Sequence, residues 1–129
     1  MNNYSIALAV IKNKDKYLIG KRAKDKEFEP NEWEFISGFI EENELPSETI
    51  LREIKEETGL SGKIIKSEKS FEFTDEEGIW TISPFLVQSD SNYKLNIKEH
   101  SELKWVNKEE LSEYEDIEEI IDYLRDLIK

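Results

Sequence analysis

The chain has 129 residues, of which 37% are hydrophobic and 37% charged, and its formal net charge is -12. This length predicts a single domain over residues 1–129 with one hydrophobic core. The negative charge argues against nucleic acid or an anionic membrane as the main partner. The absence of cysteine excludes disulfides, thiolate metal sites and cysteine nucleophiles, and leaves His100 as the one candidate for imidazole chemistry.

The N-terminus shows no leader pattern, because Met1 is not followed by a basic region and an apolar core. No apolar run approaches the roughly eighteen residues that span a bilayer. We therefore expect a cytoplasmic protein without a membrane partner, either a monomer or a homodimer. Lys and Arg are concentrated between Lys12 and Lys26, which predicts a segment that meets an anion.

The first predicted elements form a β-hairpin. Residues 4–11 are an apolar, β-compatible run, residues 13–16 a polar turn, and residues 17–20 a second strand. Residues 23–31 are predicted to form a loop. Residues 33–36 are predicted to form a short strand that runs directly into Gly38.

The next element is predicted to be a helix. Pro46 suits its first position, and Gly59 suits the left-handed residue that ends a helix. At about 100° per residue, one side of this helix is apolar and the other side carries carboxylates. The apolar side comprises Ile50, Leu51, Ile54 and Thr58.

Strand-like segments follow at residues 64–65, 71–73, 79–82 with 85–87, and 103–106. Together with the hairpin they predict a mixed sheet. The C-terminal segment is predicted to be one amphipathic helix that packs on this sheet, because apolar residues recur there at helical spacing. These residues are Ile117, Ile120, Ile121, Leu124 and Ile128.

Three carboxylates crowd about one turn of the first predicted helix, since Glu53, Glu56 and Glu57 stand at i, i+3 and i+4. Like charges at these spacings destabilise a helix by roughly a few tenths of a kcal/mol per pair. A divalent cation would offset the repulsion. Mg²⁺ takes oxygen ligands and commonly uses one or two carboxylates with water and substrate phosphates.

Spacing alone is weak evidence, since Glu115, Glu118 and Glu119 repeat it on the last helix, where it indicates a solvated acidic face. The stretch from Gly38 to Leu60 is more informative. It reads Gly38, five residues, Glu44, seven residues, Arg52-Glu53, an aliphatic residue, any residue, Glu56-Glu57, any residue, Gly59 and an aliphatic residue. This pattern resembles the Nudix box at every defining position, and residues 33–35 and 99–106 resemble MutT-like members of that family.

The resemblance implies an α/β fold, a Nudix-type α/β/α sandwich with a central mixed β-sheet. It also implies a hydrolase that depends on Mg²⁺, or Mn²⁺, and cleaves a diphosphate linked to another group, typically a nucleoside. In such reactions water attacks phosphorus, and bound cations stabilise charge on the phosphate oxygens. No protein nucleophile is required, in agreement with a chain that lacks cysteine.

By similarity, Glu53, Glu56 and Glu57 are expected to hold metal, with the backbone carbonyl of Ser37 as a further ligand. Glu53, or a residue on a later loop, is expected to help deprotonate the attacking water. Ser37 replaces a glycine that is common just before the box. This matters little if its φ is negative.

Arg52 is expected to pair with nearby carboxylates such as Glu44 and Glu53, so Arg52 and Glu44 are assigned an orienting role. Asn43 replaces a frequent glycine before Glu44, and asparagine is the best substitute where a left-handed turn is needed. Leu45 stands where Ser or Thr often caps the helix, so a side-chain cap is expected to be absent.

Four further residues have two readings each. Glu99 brings another carboxylate to the metals or is a solvated surface residue. Arg22 binds phosphate or lies on the surface. Asp116 contacts a base edge or is a helix-end acid that suits the macrodipole. His100 has a catalytic role or, the reading we favour, is an ordinary loop residue.

The leaving group must be recognised outside the box. Aromatic residues of the short strands either stack a base or belong to the core, the commoner case. They are Trp33, Phe35, Phe73, Trp80 and Phe85. The chain lacks the residues that mark the ADP-ribose, dinucleoside polyphosphate and NADH pyrophosphatase subfamilies of this family. A nucleoside triphosphate is therefore the default substrate. The expected products are a nucleoside monophosphate and a phosphate product.

Alternatives stay open. One is a hydrolase of a different diphosphate, such as a nucleotide sugar or a dinucleoside polyphosphate. Another is a catalytically silent nucleotide-sensing module, against which the intact glutamates argue. A third alternative, an acidic interaction domain without a ligand, would not explain why Arg52 and both box glycines are present.

Overall fold

The computed structural model describes residues 2–25, 31–90, 95 and 100–128. In these residues the strands are β1 (Asn2–Asn13), β2 (Lys16–Arg22), β3 (Trp33–Glu34), β4 (Ile36–Phe39), β5 (Gly62–Ser67), β6 (Phe71–Asp75), β7 (Gly78–Ser89) and β8 (His100–Asn107). The α-helices are α1 (Pro46–Thr58) and α2 (Glu115–Ile120). Lys108–Glu113 and Ile121–Leu124 form 3-10 helices.

Strand β1 lies inside a mixed sheet. It pairs in parallel with β7 from Asn2 to Lys12, and antiparallel with β4 and with β2, its partner in the predicted hairpin. Strand β2 also pairs with β3 and β8, and β7 pairs with β5 and β6, all antiparallel. The predicted mixed sheet is therefore confirmed.

Strand β7 joins two segments that the sequence indicated separately, residues 79–82 and 85–87. Pro84 lies between them and has no N–H to donate. On one side of β7, the partner changes here from β6, which pairs up to Ile82, to β5, which pairs from Phe85 onward. On the other side, β1 pairs with β7 without a break, and Leu8 is the partner of Pro84. A proline fits within this long strand because the pairing on the β5 and β6 side is interrupted at that point.

Alternate residues of β1 face opposite layers, as the two-residue period of a strand requires. Ala7 and Ala9 belong to a buried cluster with Ile50 of α1. Leu8 belongs to a second cluster on the other face of the sheet, with Ile117 of α2. Helices therefore cover both faces of the sheet, and the predicted α/β/α sandwich is confirmed.

Helix α1 begins and ends as predicted. Pro46 is its first residue, and Gly59 ends it in the left-handed region with φ 78°. Asn43 adopts the left-handed conformation expected of it, with φ 66°. Leu45 provides no side-chain cap, and its N–H donates to Glu48 Oε1 at 2.8 Å.

The buried side of α1 differs from the predicted one at its margins. Ile50 and Ile54 are buried as expected, but Leu51 is 40% exposed, so its assignment to the buried side was wrong. Glu57, predicted on the carboxylate side, is 3% exposed. The reason is that the arc of α1 that packs on the sheet is rotated away from Leu51 and toward Glu57.

The prediction of one C-terminal helix was wrong. The segment forms α2 and the 3-10 helix Ile121–Leu124, preceded by the 3-10 helix Lys108–Glu113. The apolar spacing nevertheless identified buried positions, since Ile117, Leu124 and Ile128 lie in the core. The change from 3.6 to about 3 residues per turn after α2 alters which later residues share a face. Within the described ranges, no helix combines the length and apolar character that a bilayer crossing requires.

Candidate active site

A cavity of about 550 Å³ opens beside α1, β4 and α2. Its polar lining includes residues from several elements: Arg22, Glu34, Ser37, Glu41, Glu53, Glu57 and His100. Its apolar lining comes mainly from the sheet and α2: Ile6, Leu8, Phe35, Phe39, Phe73, Trp80, Ile82, Ile117 and Ile120. Asp75, Asp116 and Glu119 add further carboxylates. A cavity with both linings suits a ligand with a charged part and an apolar part.

Gly38 allows Glu53 to lie against the sheet. A Cβ at Gly38 would collide with Cγ and Cδ of Glu53, because that side chain lies directly over β4. Ser37 precedes Gly38 in β4, and it is not one of the described non-glycine residues that have a positive φ. A serine can therefore replace the common glycine at this position without backbone strain. Ser37, Gly38 and Glu53 all line the cavity.

Arg52 binds several carboxylates at the edge of the site. Its Nε donates to Glu44 Oε2 at 2.9 Å, and its Nη2 donates to Glu44 Oε1 at 3.0 Å. Its Nη1 donates to Glu53 Oε1 at 2.8 Å. The predicted pairing of Arg52 with Glu44 and Glu53 is therefore present.

These contacts change the acidity of both partners. The hydrogen bonds from Arg52, and then the one from the Thr49 hydroxyl, lower the pKa of Glu44 from 4.5 to about 2. The same pairing with Glu44 raises the pKa of Arg52 above its ordinary value. Arg52 therefore stays cationic and Glu44 anionic over the working range of pH, which fixes both side chains.

The box glutamates assigned to metal do not converge. The side chains of Glu53 and Glu57 are 14% and 4% exposed and line the cavity. Glu56 lies outside that lining, and its 55% exposed side chain accepts a hydrogen bond from Arg52 at 3.3 Å. Among the described residues, no group of three or more Asp, Glu and His side chains is placed to hold a metal ion by itself.

Two carboxylates are enough for Mg²⁺ when water and substrate phosphates complete its octahedron. Glu53 and Glu57 face the cavity together with Ser37, whose backbone carbonyl is the third predicted oxygen. This donor set contains only oxygen atoms, which hard divalent cations prefer. The residues present therefore fit a divalent cation that binds jointly with a phosphate-bearing ligand.

His100 is not the loop residue that the sequence favoured. It begins β8, its side chain is 2% exposed, and its ring lies between two carboxylates. Nε2 is 2.9 Å from Glu34 Oε2, and Nδ1 is 3.6 Å from Glu57 Oε1. Glu34 also accepts from Arg22 Nη1, at 3.2 Å to each carboxylate oxygen. Arg22 lines the cavity.

Glu34 was missed as a site residue, although the Trp-Glu-Phe segment around it was noted. The available signal was a single charged residue between two aromatic residues in a short strand beside the box. Its partner His100 is 66 positions away, so the spacing of the sequence could not reveal the contact.

The aromatic candidates divide into two groups. Phe35, Phe73 and Trp80 line the cavity, whereas Phe85 is buried in the cluster that faces α1. Trp33 lies outside the cavity lining. Its ring packs against Tyr114 with the centroids 5.5 Å apart, and Lys104 Nζ lies 4.6 Å from its centroid.

Trp80 makes ring contacts and a hydrogen bond at the cavity. Its ring stacks on Tyr4 with a centroid separation of 4.4 Å, and its Nε1 donates to Asp75 Oδ1 at 2.9 Å. Asp116, the candidate base-edge residue, also lines the cavity. Glu99, the candidate carboxylate of the later loop, lies outside the described residues.

Comparison with known proteins is in agreement with this geometry. A family model described as NUDIX domain matches residues 1–127. The chain is 31% identical over 122 residues to an uncharacterised Nudix hydrolase of Listeria monocytogenes, an alignment that covers 92% of this chain and 71% of that protein. It is 29% identical over 128 residues to the nucleoside triphosphatase NudI of Klebsiella pneumoniae, with 89% of each chain covered.

Among solved structures, the NUDIX domain of Shewanella oneidensis NrtR, determined in complex with ADP ribose, superposes with a TM-score of 0.79. The superposition covers 100% of this chain and 90% of that chain at 20% sequence identity. At this identity the likeness concerns the fold.

Proposed function

Because this chain belongs to the Nudix hydrolase family, we propose that it is a metal-dependent pyrophosphohydrolase of nucleoside triphosphates or related nucleoside diphosphate derivatives. The products would be a nucleoside monophosphate and a phosphate product. The nucleoside triphosphatase relative, similar along most of its length, supports this substrate class. Nudix hydrolases generally use divalent cations.

One observation carries the proposal: box glutamates and aromatic side chains line the same cavity. Glu53 and Glu57 lie on its polar wall, and Phe73 and Trp80 on its apolar wall. A nucleotide combines a polyanionic phosphate chain with a planar base, and both parts have a matching wall here. An acidic interaction domain without a ligand would need neither the polar wall nor the apolar wall of this cavity.

We propose Mg²⁺, with Mn²⁺ as a substitute, as the cofactor. Glu53, Glu57 and the Ser37 carbonyl would hold it, and Glu56 is a further candidate because its carboxylate is exposed beside Arg52. When bound, the cation would supply charge stabilisation for the phosphate oxygens and a more acidic water. Glu53, or Glu99 from the later loop, is the proposed base for that water.

The remaining polar residues would orient the site and bind the phosphates. Glu44 and Arg52 fix the side chain of Glu53 through the 2.8 Å hydrogen bond to Arg52. Arg22 is the proposed phosphate ligand, since a guanidinium matches phosphate geometry and this one lines the cavity. Glu34 keeps Arg22 in place through its two 3.2 Å contacts.

The nucleobase of the substrate would bind against the apolar wall of the cavity, and carboxylates would recognise it through hydrogen bonds. Asp116 and Asp75 line the cavity, and an ionised carboxylate only accepts hydrogen bonds. A base with an exocyclic amino group, such as cytosine, adenine or guanine, presents the donors that these oxygens need. Uracil and thymine, which lack an amino group and offer only the ring N3–H as a donor, are expected to be poorer substrates.

The test is a panel of nucleoside triphosphates, nucleotide sugars and dinucleoside polyphosphates with Mg²⁺ and identification of the products. It is run beside Glu57→Gln and, as a matched control, Glu118→Gln, which neutralises an exposed glutamate of α2 outside the cavity lining. Cleavage of a nucleoside triphosphate that is lost only in Glu57→Gln supports the proposal. Titration calorimetry that shows nucleotide binding without turnover anywhere in the panel would identify a sensing module instead.

A further inference from the structure

His100 links parts of the site that come from separate elements. Its Nε2 is at hydrogen-bond distance, 2.9 Å, from an oxygen of Glu34 in β3, whereas its Nδ1 lies 3.6 Å from an oxygen of Glu57 in α1, which is a close contact but longer than a hydrogen bond. With a side chain that is 2% exposed, the imidazole has little contact with solvent. Each ring nitrogen therefore faces a carboxylate that also lines the cavity.

The His100 ring packs directly against β2. A Cβ at Gly20 would lie 2.6 Å from His100 Cδ2 and 2.9 Å from Nε2, closer than packed atoms allow. Gly20 pairs with Glu34 in β3 and with Leu103 in β8, so the sheet holds the backbone under the ring. The absence of a side chain at Gly20 is what lets His100 occupy this position.

The contacts continue from His100 to the proposed phosphate ligand. Glu34 binds His100 through Oε2 and accepts from Arg22 at 3.2 Å through both oxygens. The series Arg22, Glu34, His100 and Glu57 thus runs along the cavity lining. It connects the residue proposed to bind phosphate with a residue proposed to bind metal.

We propose that His100 is a positioning residue that holds Glu57 in its metal-binding orientation and, through Glu34, holds Arg22 for phosphate. This inference rests on the proposed function, because it takes Glu57 as a metal ligand. Partners that orient a ligating carboxylate typically change metal affinity or activity by about 10-fold to 100-fold when they are removed. The side chain of Glu57 is 4% exposed, so solvent contributes little to holding it.

Replacements that keep one half of the imidazole can separate its two contacts. In His100→Asn the amide nitrogen occupies roughly the place of Nδ1, and in His100→Gln roughly that of Nε2. His100→Asn is expected to keep Mn²⁺ affinity within about threefold of the parent and to raise KM, because the contact with Glu34 is lost. His100→Gln is expected to weaken Mn²⁺ binding about tenfold with a smaller change in KM.

Mn²⁺ binding is measured by electron paramagnetic resonance in the absence of nucleotide. KM and kcat are measured with the best substrate of the panel, and folding is checked by thermal melting. Gly20→Ala displaces the ring without removing it and is expected to weaken Mn²⁺ binding as His100→Ala does. The proposal would be overturned if the parent and all four variants had the same Mn²⁺ affinity and the same kcat/KM. These variants are His100→Asn, His100→Gln, His100→Ala and Gly20→Ala. The proposal would also be overturned if His100→Asn and His100→Gln lost Mn²⁺ affinity and kcat/KM to the same extent and in proportion to a lower melting temperature. Replacement of an ordinary core histidine would produce that result.

Glu57→Gln in the same experiments separates this inference from the proposed function. If Glu57→Gln leaves Mn²⁺ affinity unchanged, the assigned metal site is wrong. If Glu57→Gln weakens Mn²⁺ binding and the His100 variants do not, the metal site stands and the positioning role of His100 fails.

Discussion

The side chain of Glu53 occupies the space that a side chain at Gly38 would need. This contact explains why a glycine stands at the start of the box, in the strand that faces α1. The φ of Gly38 is not in the left-handed region, so its role is to permit close approach and not an unusual turn.

Gly38→Ala should therefore reduce kcat by about 100-fold, since a displacement of a catalytic group by about 1 Å has an effect of this size. Gly62→Ala is a matched control, because its Cβ would collide with Val87 Cγ1 at a position outside the cavity lining. Steady-state kinetics and thermal melting of both variants check the prediction. Equal loss of kcat in the two folded variants would contradict it.

The metal assignment predicts a ranking of the box glutamates. Glu57→Gln and Glu53→Gln should each lower kcat by about two orders of magnitude or more, because each removes a charge at the cavity where negative phosphate charge must be balanced through a cation. Glu56→Gln should have a smaller effect, since its carboxylate is exposed and lies on Arg52. Kinetics at varied Mg²⁺ concentration measure the ranking, with Glu118→Gln as the charge control. The prediction fails if Glu56→Gln is the most damaging of the three.

Glu44 should make the stability of the protein depend on pH. Its pKa is lowered to about 2 in the folded protein, chiefly by Arg52, from an ordinary value of 4.5. A lowered pKa contributes stability that is present above the unfolded value and is lost as pH falls from about 4.5 to about 2.

The free energy of unfolding of the parent should therefore exceed that of Glu44→Gln near neutral pH, and the difference should shrink as pH falls through this window. Denaturant unfolding at a series of pH values measures the difference, and Glu118→Gln controls for the loss of one negative charge. A difference that stays constant from neutral pH to pH values near 2 would show that the Arg52 pair does not stabilise the folded state.

Trp80 should determine substrate binding more than turnover. Stacking of a base on an aromatic side chain contributes about 1–3 kcal/mol, which corresponds to about a 5-fold to 150-fold change in affinity. Trp80→Ala should accordingly raise KM within this range and change kcat less. Trp33→Ala is the matched control, because Trp33 packs on Tyr114 outside the cavity lining. A KM effect of equal size in both variants would place the base elsewhere.

Features that depend on neighbouring residues were predictable from the sequence. Pro46, Gly59 and Asn43 were predicted correctly because a fixed φ, a missing Cβ and a tolerated left-handed conformation act within a few residues. The C-terminal helix was predicted wrongly because local apolar spacing does not reveal where packing changes a helix from α to 3-10. Glu34 was missed, and His100 was assigned to a loop, because their contact joins positions far apart in the chain.

The sequence by itself determined the family resemblance, the mixed sheet and the crowding of carboxylates on α1, since all three follow from residue type and spacing. Only the tertiary structure decided which carboxylates reach the cavity: Glu57 is buried there and Glu56 is exposed on Arg52, although the two are adjacent. The physical reason is that packing of Ile50 and Ile54 on the sheet sets the rotation of α1 about its axis. That rotation depends on the whole core, and the spacing of the glutamates does not encode it.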